Sequence, residues 1–181
     1  MQNELDIVRD VSARLERGGL AYMLTGSMAM NYYAQPRLTR DIDIVVALRL
    51  EDAARVTDLF AADFYIDADA VRSAIAQRGM FNIIHYDHVM KVDFIVRKDT
   101  PYRHEEFARR CAVDIDGVTI WLVTAEDLLL SKLVWAAESR SEIQLQDVRN
   151  LIRSVAHLDW TYIERWASEL TLSELLREVR G

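Results

Sequence analysis

The sequence predicts an α+β fold: a small mixed β-sheet packed with helices and completed by a C-terminal helical segment. Short apolar runs at 41–46, 80–86, 89–96, 112–115 and 118–123, rich in Val and Ile, have the length and composition of strands. Stretches with apolar residues at helical spacing lie before and between them. From Thr124 to the end the pattern is helical throughout. With 181 residues, 51% of them apolar, the chain can bury a core without disulfides or metal staples, and six Gly with two Pro exclude disordered and collagen-like architectures.

In chain order, Leu5, Val8, Val11 and Leu15 form one helical stripe that stops at Gly18-Gly19, a C-terminal signal. Residues 20–24 read as a short strand that breaks at Thr25-Gly26-Ser27, and Met28 to Ala34 as a helix ended by Pro36. Strand 41–46 follows, then helices over 51–62 and 68–77. Runs 80–86 and 89–96 are separated by Asp87-His88, which is hairpin spacing, and Asp116-Gly117 is the strongest hairpin signal in the chain. Thr124-Ala125-Glu126-Asp127 resembles a capping box with Asp in place of Glu. The organisation predicted is an α/β core over 1–123 and a helical segment over 124–181 packed on it, together one compact unit.

The 29 acids and 22 bases give a net charge of -7, and no basic stripe of the kind that holds duplex DNA by its phosphates is visible. No apolar run approaches the roughly 18 residues of a membrane span. The N-terminus carries Glu4 and Asp6 where a signal peptide needs bases, and a lone cysteine, Cys111, cannot form an internal bridge. A cytoplasmic protein without membrane partners is expected.

Chemistry is concentrated in a few positions. Asp41 and Asp43 alternate with Ile42 and Ile44, so on a strand both carboxylates project from the face opposite the core. Like charges that close repel unless a cation sits between them, and hard oxygen donors with open positions favour magnesium. Asp93 stands in the same relation to Val92, Phe94 and Val96. Thirteen residues separate Asp41 from Gly26-Ser27, a glycine turn before a helix, where backbone can approach a phosphate. Three such acids, two metals and in-line phosphoryl attack are mutually consistent.

This combination resembles the nucleotidyltransferase superfamily related to DNA polymerase β, whose signature is apolar-Gly-(Gly/Ser), a short gap, Asp-apolar-(Asp/Glu)-apolar, and a third acid on a later strand. It stands here as Leu24-Thr25-Gly26-Ser27, Asp41-Ile42-Asp43-Ile44 and Asp93, with Thr25 replacing an apolar residue. The resemblance implies a polymerase β-like fold and transfer of a nucleoside monophosphate from ATP or another NTP to an acceptor hydroxyl, with two magnesium ions (manganese the alternative). Asp41, Asp43 and Asp93 would hold metal, Asp93 would also act as base toward the acceptor, and Gly26 and Ser27 would hold phosphates. Arg37 and Arg40, just before the first Asp, are placed to stabilise charge on the triphosphate.

On helical wheels Lys132 and Asp147 both fall within apolar stripes, where each needs a partner. They read either as a structural ion pair or, by resemblance to small bacterial nucleotidyltransferases of the AbiEii toxin group, as nucleotide-binding residues. That group implies a protein, small-molecule or tRNA acceptor and a cognate antitoxin or other partner protein. A non-catalytic scaffold of the same fold is the competing reading, although such proteins lose an acid or the Gly-Ser turn and none is lost here. His85 and His88 lack further ligands nearby, Cys111 reads as a small buried hydrophobe, and Met28, Met30, Tyr32, Tyr33 and the four tryptophans read as packing residues.

Overall fold

The computed structural model describes residues 2–35 and 41–181, with side chains in the first helix described from Glu4 onward. Arg37 and Arg40 lie outside the described residues. Helix α1 (Gln2–Arg17) ends where expected, with Gly19 at φ 62°. Strand β1 (Tyr22–Thr25) runs directly into α2 (Gly26–Tyr33), so Gly26 opens the helix two residues earlier than expected. Strand β2 (Asp41–Val46) has the expected bounds. The helix expected over 51–62 is a short 3-10 turn at Leu50–Asp52 followed by α3 (Ala53–Phe60).

Strand β3 (Phe64–Tyr65), α4 (Ala68–Gln77), β4 (Met80–His85) and β5 (Lys91–Val96) come next. The β4–β5 connection spans five residues rather than Asp87-His88 alone, and Val89 takes a positive φ within it. A helix absent from the sequence reading, α5 (Pro101–Arg109), begins at a proline, which suits a first helical position because no N–H is needed there. Strands β6 (Cys111–Ile115) and β7 (Val118–Leu122) flank Asp116-Gly117, both at positive φ, the geometry of the tight hairpin expected. The tail is α6 (Ala125–Ser139), α7 (Glu142–Ser154), α8 (Trp160–Glu169) and α9 (Ser173–Arg180). Among the described residues no helix is long and apolar enough to cross a membrane.

The seven strands form one mixed sheet in the order β3-β4-β5-β2-β1-β7-β6. β2 is parallel to β5 and β1 to β7, and the other pairs are antiparallel. Period-2 alternation separates the faces of the central strands. Ile42, Ile44, Val46, Val92, Phe94 and Val96 are buried on one side, where Phe60 of α3 and Phe81 of β4 meet the Phe94 ring at centroid distances of 5.6 and 5.0 Å. Burying rings of this size contributes on the order of 2 kcal/mol each. The opposite side of β2 and β5, which carries Asp41, Asp43, Asp93 and Ile95, lies beneath α6.

α6 is fixed in that position by two polar clusters. Asp127, wholly buried, accepts from Tyr162 Oη (2.6 Å), Thr124 Oγ1 (2.6 Å) and Arg109 Nε (3.0 Å), tying α6 to α5 and α8. The expected reciprocal capping box is therefore replaced: Thr124 caps the Asp127 N–H, while the Asp127 carboxylate serves three side chains. One turn on, Ser131 accepts from Arg103 (2.7 Å) and donates to buried Glu106 (2.6 Å), both on α5. Burial raises the Glu106 pKa, and Arg103 and Ser131 oppose the rise.

Candidate active site

β1, β2 and β5 lie side by side, and their register sets the site. Thr25 pairs with Asp43 across the antiparallel β1–β2 ladder, and Asp43 pairs with Asp93 across the parallel β2–β5 ladder. The sheet thus places Asp43 between the Gly26 turn and the third acid, and puts Asp41 opposite Lys91. Asp41 is exposed, Asp43 half-buried and Asp93 buried.

Gly26 is required on two counts. Its φ is +64°, which other residues adopt only with strain, and a Cβ on it would stand 2.7 Å from Asp43 Cγ. Backbone and carboxylate can touch only because that atom is missing. The opening of α2 has no side-chain cap and no acid in its own first turn, so the acid set against its positive end is Asp43 of the neighbouring strand.

Burial raises the Asp43 pKa, and the charges of Asp93 and Asp41 raise it further, against the opposing fields of Lys132 and Lys91. Among the described residues no side chain hydrogen-bonds or ion-pairs with the Asp43 carboxylate. Lys91 serves its neighbours: its Nζ lies 2.8 Å from Asp93 Oδ2 and 3.7 Å from Asp41 Oδ1, and the Asp93 hydrogen bond raises the Lys91 pKa. Such an acidic set with one partnerless member fits a hard divalent cation. Among the described residues no three His, Cys, Asp or Glu side chains are gathered round one point, so an ion there would draw part of its coordination from phosphate and water.

A cleft of about 170 Å³ opens above these residues, with Gly26, Ser27 and Asp43 on its sheet side and Ser131, Lys132 and Trp135 on α6. Lys132 reaches it while bonded to Asp147 of α7 at 2.7 Å, both side chains about 5% exposed or less. Lys132 is thus a buried ion-pair member and a wall of the cleft at once, an arrangement compatible with either sequence reading of this pair. A second hollow of about 140 Å³ shares Thr25, Ile95, Ser131 and Trp135 with the first and continues toward Arg97 and Lys98.

Gly26, Ser27, Asp43 and Lys132 are brought together in the cleft, with Asp93 beside Asp43 and Asp147 behind Lys132. Of the residues read as packing, Trp135, Tyr32 and Cys111 meet different surroundings. Trp135, read as a packing residue, is 49% exposed at the cleft, and Tyr32 is 51% exposed. Met28 and Met30 are buried, while Cys111 is only half-buried, its Sγ facing the Leu122 carbonyl at 3.6 Å. The His85 and His88 rings meet tilted at a centroid distance of 4.6 Å, and the His85 Nδ1 accepts backbone N–H bonds from its own turn. Sequence reading missed Lys91, Ser131 and Gln144. For Lys91 the signal was present, a base two residues before Asp93 on the same strand face. Ser131 and Gln144 carried none, because their roles arise only when α6 and α7 pack.

Compared with solved structures, the fold is similar to an antigenic nucleotidyltransferase-like protein from Paracoccidioides brasiliensis, with TM-score 0.67 and 16% identity over 97% of this chain and 88% of that one. It is similar to the antibiotic-resistance factor ANT(2'')-Ia, with TM-score 0.58 and 14% identity over 98% and 92%. The lincosamide antibiotic adenylyltransferase LnuA, solved with lincomycin, gives TM-score 0.57 and 15% identity over 86% and 98%. At these identities the likeness is one of fold. Among curated proteins none matches the sequence significantly. A family model described as "Nucleotidyl transferase AbiEii toxin, Type IV TA system" matches residues 12–157, which include the Gly26 turn, all three acids and the Lys132–Asp147 pair. With most of its length matched, the chain belongs to the AbiEii family of nucleotidyltransferases.

Proposed function

We propose that the chain transfers a nucleoside monophosphate from an NTP to an acceptor hydroxyl and releases pyrophosphate. The observation that carries this reading is Asp43, without a side-chain partner among the described residues, set against Gly26 and between two further acids, at the floor of a cleft roofed by Lys132. Asp41, Asp43 and Asp93 would hold magnesium, which supplies neutralisation of the triphosphate and polarisation of its α-phosphorus when bound. The remaining work falls to the chain. Backbone at Gly26 and Ser27 seats the phosphates at the start of α2, and Lys132, oriented by Asp147, adds positive charge from above. The acceptor oxygen forms its bond to the α-phosphorus as the bond to the leaving phosphate breaks, the electron pair departing with pyrophosphate. The hydroxyl proton passes to the Asp93 carboxylate. Arg37 and Arg40 are assigned the outer phosphates from their sequence position alone.

A protein or small-molecule acceptor suits the acidic surface better than tRNA, which needs a basic groove. The family description supports a place in a toxin–antitoxin pair with a cognate partner; a cytoplasmic site of action belongs to the same proposal. The test is to incubate the protein with magnesium and NTP labelled at the α- or the γ-phosphate, offering cell extract, tRNA and aminoalcohol antibiotics as acceptors. The reading expects α-label on an acceptor, γ-label in pyrophosphate, and neither product with Asp43→Asn. Transfer of γ-label, or hydrolysis alone with every acceptor, would contradict it.

A further inference from the structure

One wall of the cleft has no task in phosphate chemistry. Trp135 lies one helical turn beyond Lys132 on α6, and Gln144 lies one turn before Asp147 on the antiparallel α7. The two therefore lie three residues, about 4.5 Å along the helix axes, beyond the Lys132–Asp147 pair, and both line the same cleft. Half of the Trp135 surface is open to solvent although the residue sits on a helix whose neighbouring positions are core. Exposing an indole face of that size is unfavourable in the empty protein. Gln144 carries a second anomaly: its Oε1 is buried and, among the described residues, accepts no hydrogen bond. An amide oxygen removed from water without a donor is a cost that a turn of the Gln144 side chain into the cleft it lines, onto a ligand donor, would relieve.

We propose that Trp135 and Gln144 form the nucleobase subsite, with the base stacked on the Trp135 indole and the Gln144 Oε1 accepting from an exocyclic amine at purine position 6 or pyrimidine position 4. The inference rests on the nucleotidyltransferase reading above. The order of groups along the cleft matches a nucleotide: phosphates at Gly26 and Lys132, then about a ribose's span, then an aromatic face and an edge-reading acceptor. Stacking is tolerant of base identity, because every base has a π-face. Discrimination falls to Gln144. Adenine and cytosine present a donor at that position, whereas guanine and uracil present a carbonyl oxygen, which would face Oε1 acceptor to acceptor. The substrate class is therefore ATP and CTP in preference to GTP and UTP.

The test is calorimetric titration of the wild-type protein and three variants with each of the four NTPs in the presence of magnesium, folding being checked by thermal melts. Wild type is expected to bind ATP and CTP at least about tenfold more tightly than GTP and UTP. Trp135→Leu should weaken all four by about tenfold, the loss expected of one base–aromatic stack, while Trp135→Phe keeps most of the affinity. Gln144→Leu should bring the four affinities together by weakening ATP and CTP alone. Preference for GTP and UTP, or a Gln144→Leu protein that discriminates as wild type does, would overturn the assignment while leaving nucleotide binding intact. Failure of the wild-type protein to bind any NTP would overturn both the assignment and the activity on which it rests.

Discussion

Two aspartates that flank α6, Asp127 in its first turn and Asp43 on the strand beneath it, are treated in opposite ways. Asp127, at the joint of α5, α6 and α8, accepts from a tyrosine, a threonine and an arginine and has no solvent exposure. Asp43, on the central strand of the sheet, faces two other carboxylates, has no hydrogen-bonding partner among the described residues, and carries a raised pKa because burial and its neighbours disfavour its charge. A carboxylate whose bonds are complete stabilises the fold. One held in place with its bonds unmade costs stability in the empty protein and is available to a ligand. The same contrast recurs along α6, where Ser131 is committed to Arg103 and Glu106 while Trp135, one turn away, is left open.

Exchanging the two kinds of aspartate breaks the contrast, and the largest effect is on chemistry. Asp43→Asn is expected to reduce nucleotidyl transfer by about 10³-fold or more, equivalent to about 4 kcal/mol, in a turnover assay, because a carboxylate that would hold the metal at the triphosphate is lost. Its thermal midpoint should stay level or rise. Asp127→Ala should do the reverse. Removing the shared acceptor of Arg109 Nε and Tyr162 Oη at the joint costs about 3 kcal/mol, which lowers the melting temperature by roughly 6–12 °C in a chain of this size. Nucleotide affinity of the folded fraction should be close to wild type.

Gly26→Ala sharpens the comparison from the backbone side. Positive φ and the collision with the Asp43 carboxylate together should cost about 2 kcal/mol by denaturant unfolding, and nucleotide affinity should fall with it, since backbone and acid can no longer share the site. The smallest effect is on pH dependence. Because the folded-state pKa of Asp43 is raised, the folded protein binds more protons than the unfolded chain between the ordinary aspartate range and that raised value. Its contribution to stability therefore declines as pH rises through that window, and is regained on acidification. Melts of the ligand-free protein across this range should show Asp43→Asn gaining on wild type as pH rises.

Much of the sheet and half of the site were legible in the chain. Alternation of Asp41, Ile42, Asp43 and Ile44 sorted acids from core, and Asp116-Gly117 located its hairpin, since both signals are local. The helix at Pro101–Arg109 was missed although proline at a helix start is a known signal, because its apolar face is small: Tyr102 and Phe107 are buried, but a buried glutamate, Glu106, completes the stripe. Trp135 was misread for a different reason. Helical periodicity tells which residues share a face but not whether that face meets a neighbour or a cleft. Gln144 and Ser131 gain meaning only from the packing of α7 and α5 against α6, and no spacing along one helix could announce it.

The most direct test of the central claim, that Asp43 is kept without a partner for a metal-borne nucleotide, is a thermal melt of wild type and Asp43→Asn with and without magnesium and NTP. A ligand that binds the folded state alone raises the melting temperature with its concentration over Kd. Wild type should show a rise that needs both magnesium and NTP, while Asp43→Asn shows none and, without ligand, melts at or above wild type. No magnesium-dependent rise at millimolar NTP, or a ligand-free Asp43→Asn protein that melts well below wild type, would contradict it, the latter by showing that Asp43 is a structural carboxylate like Asp127.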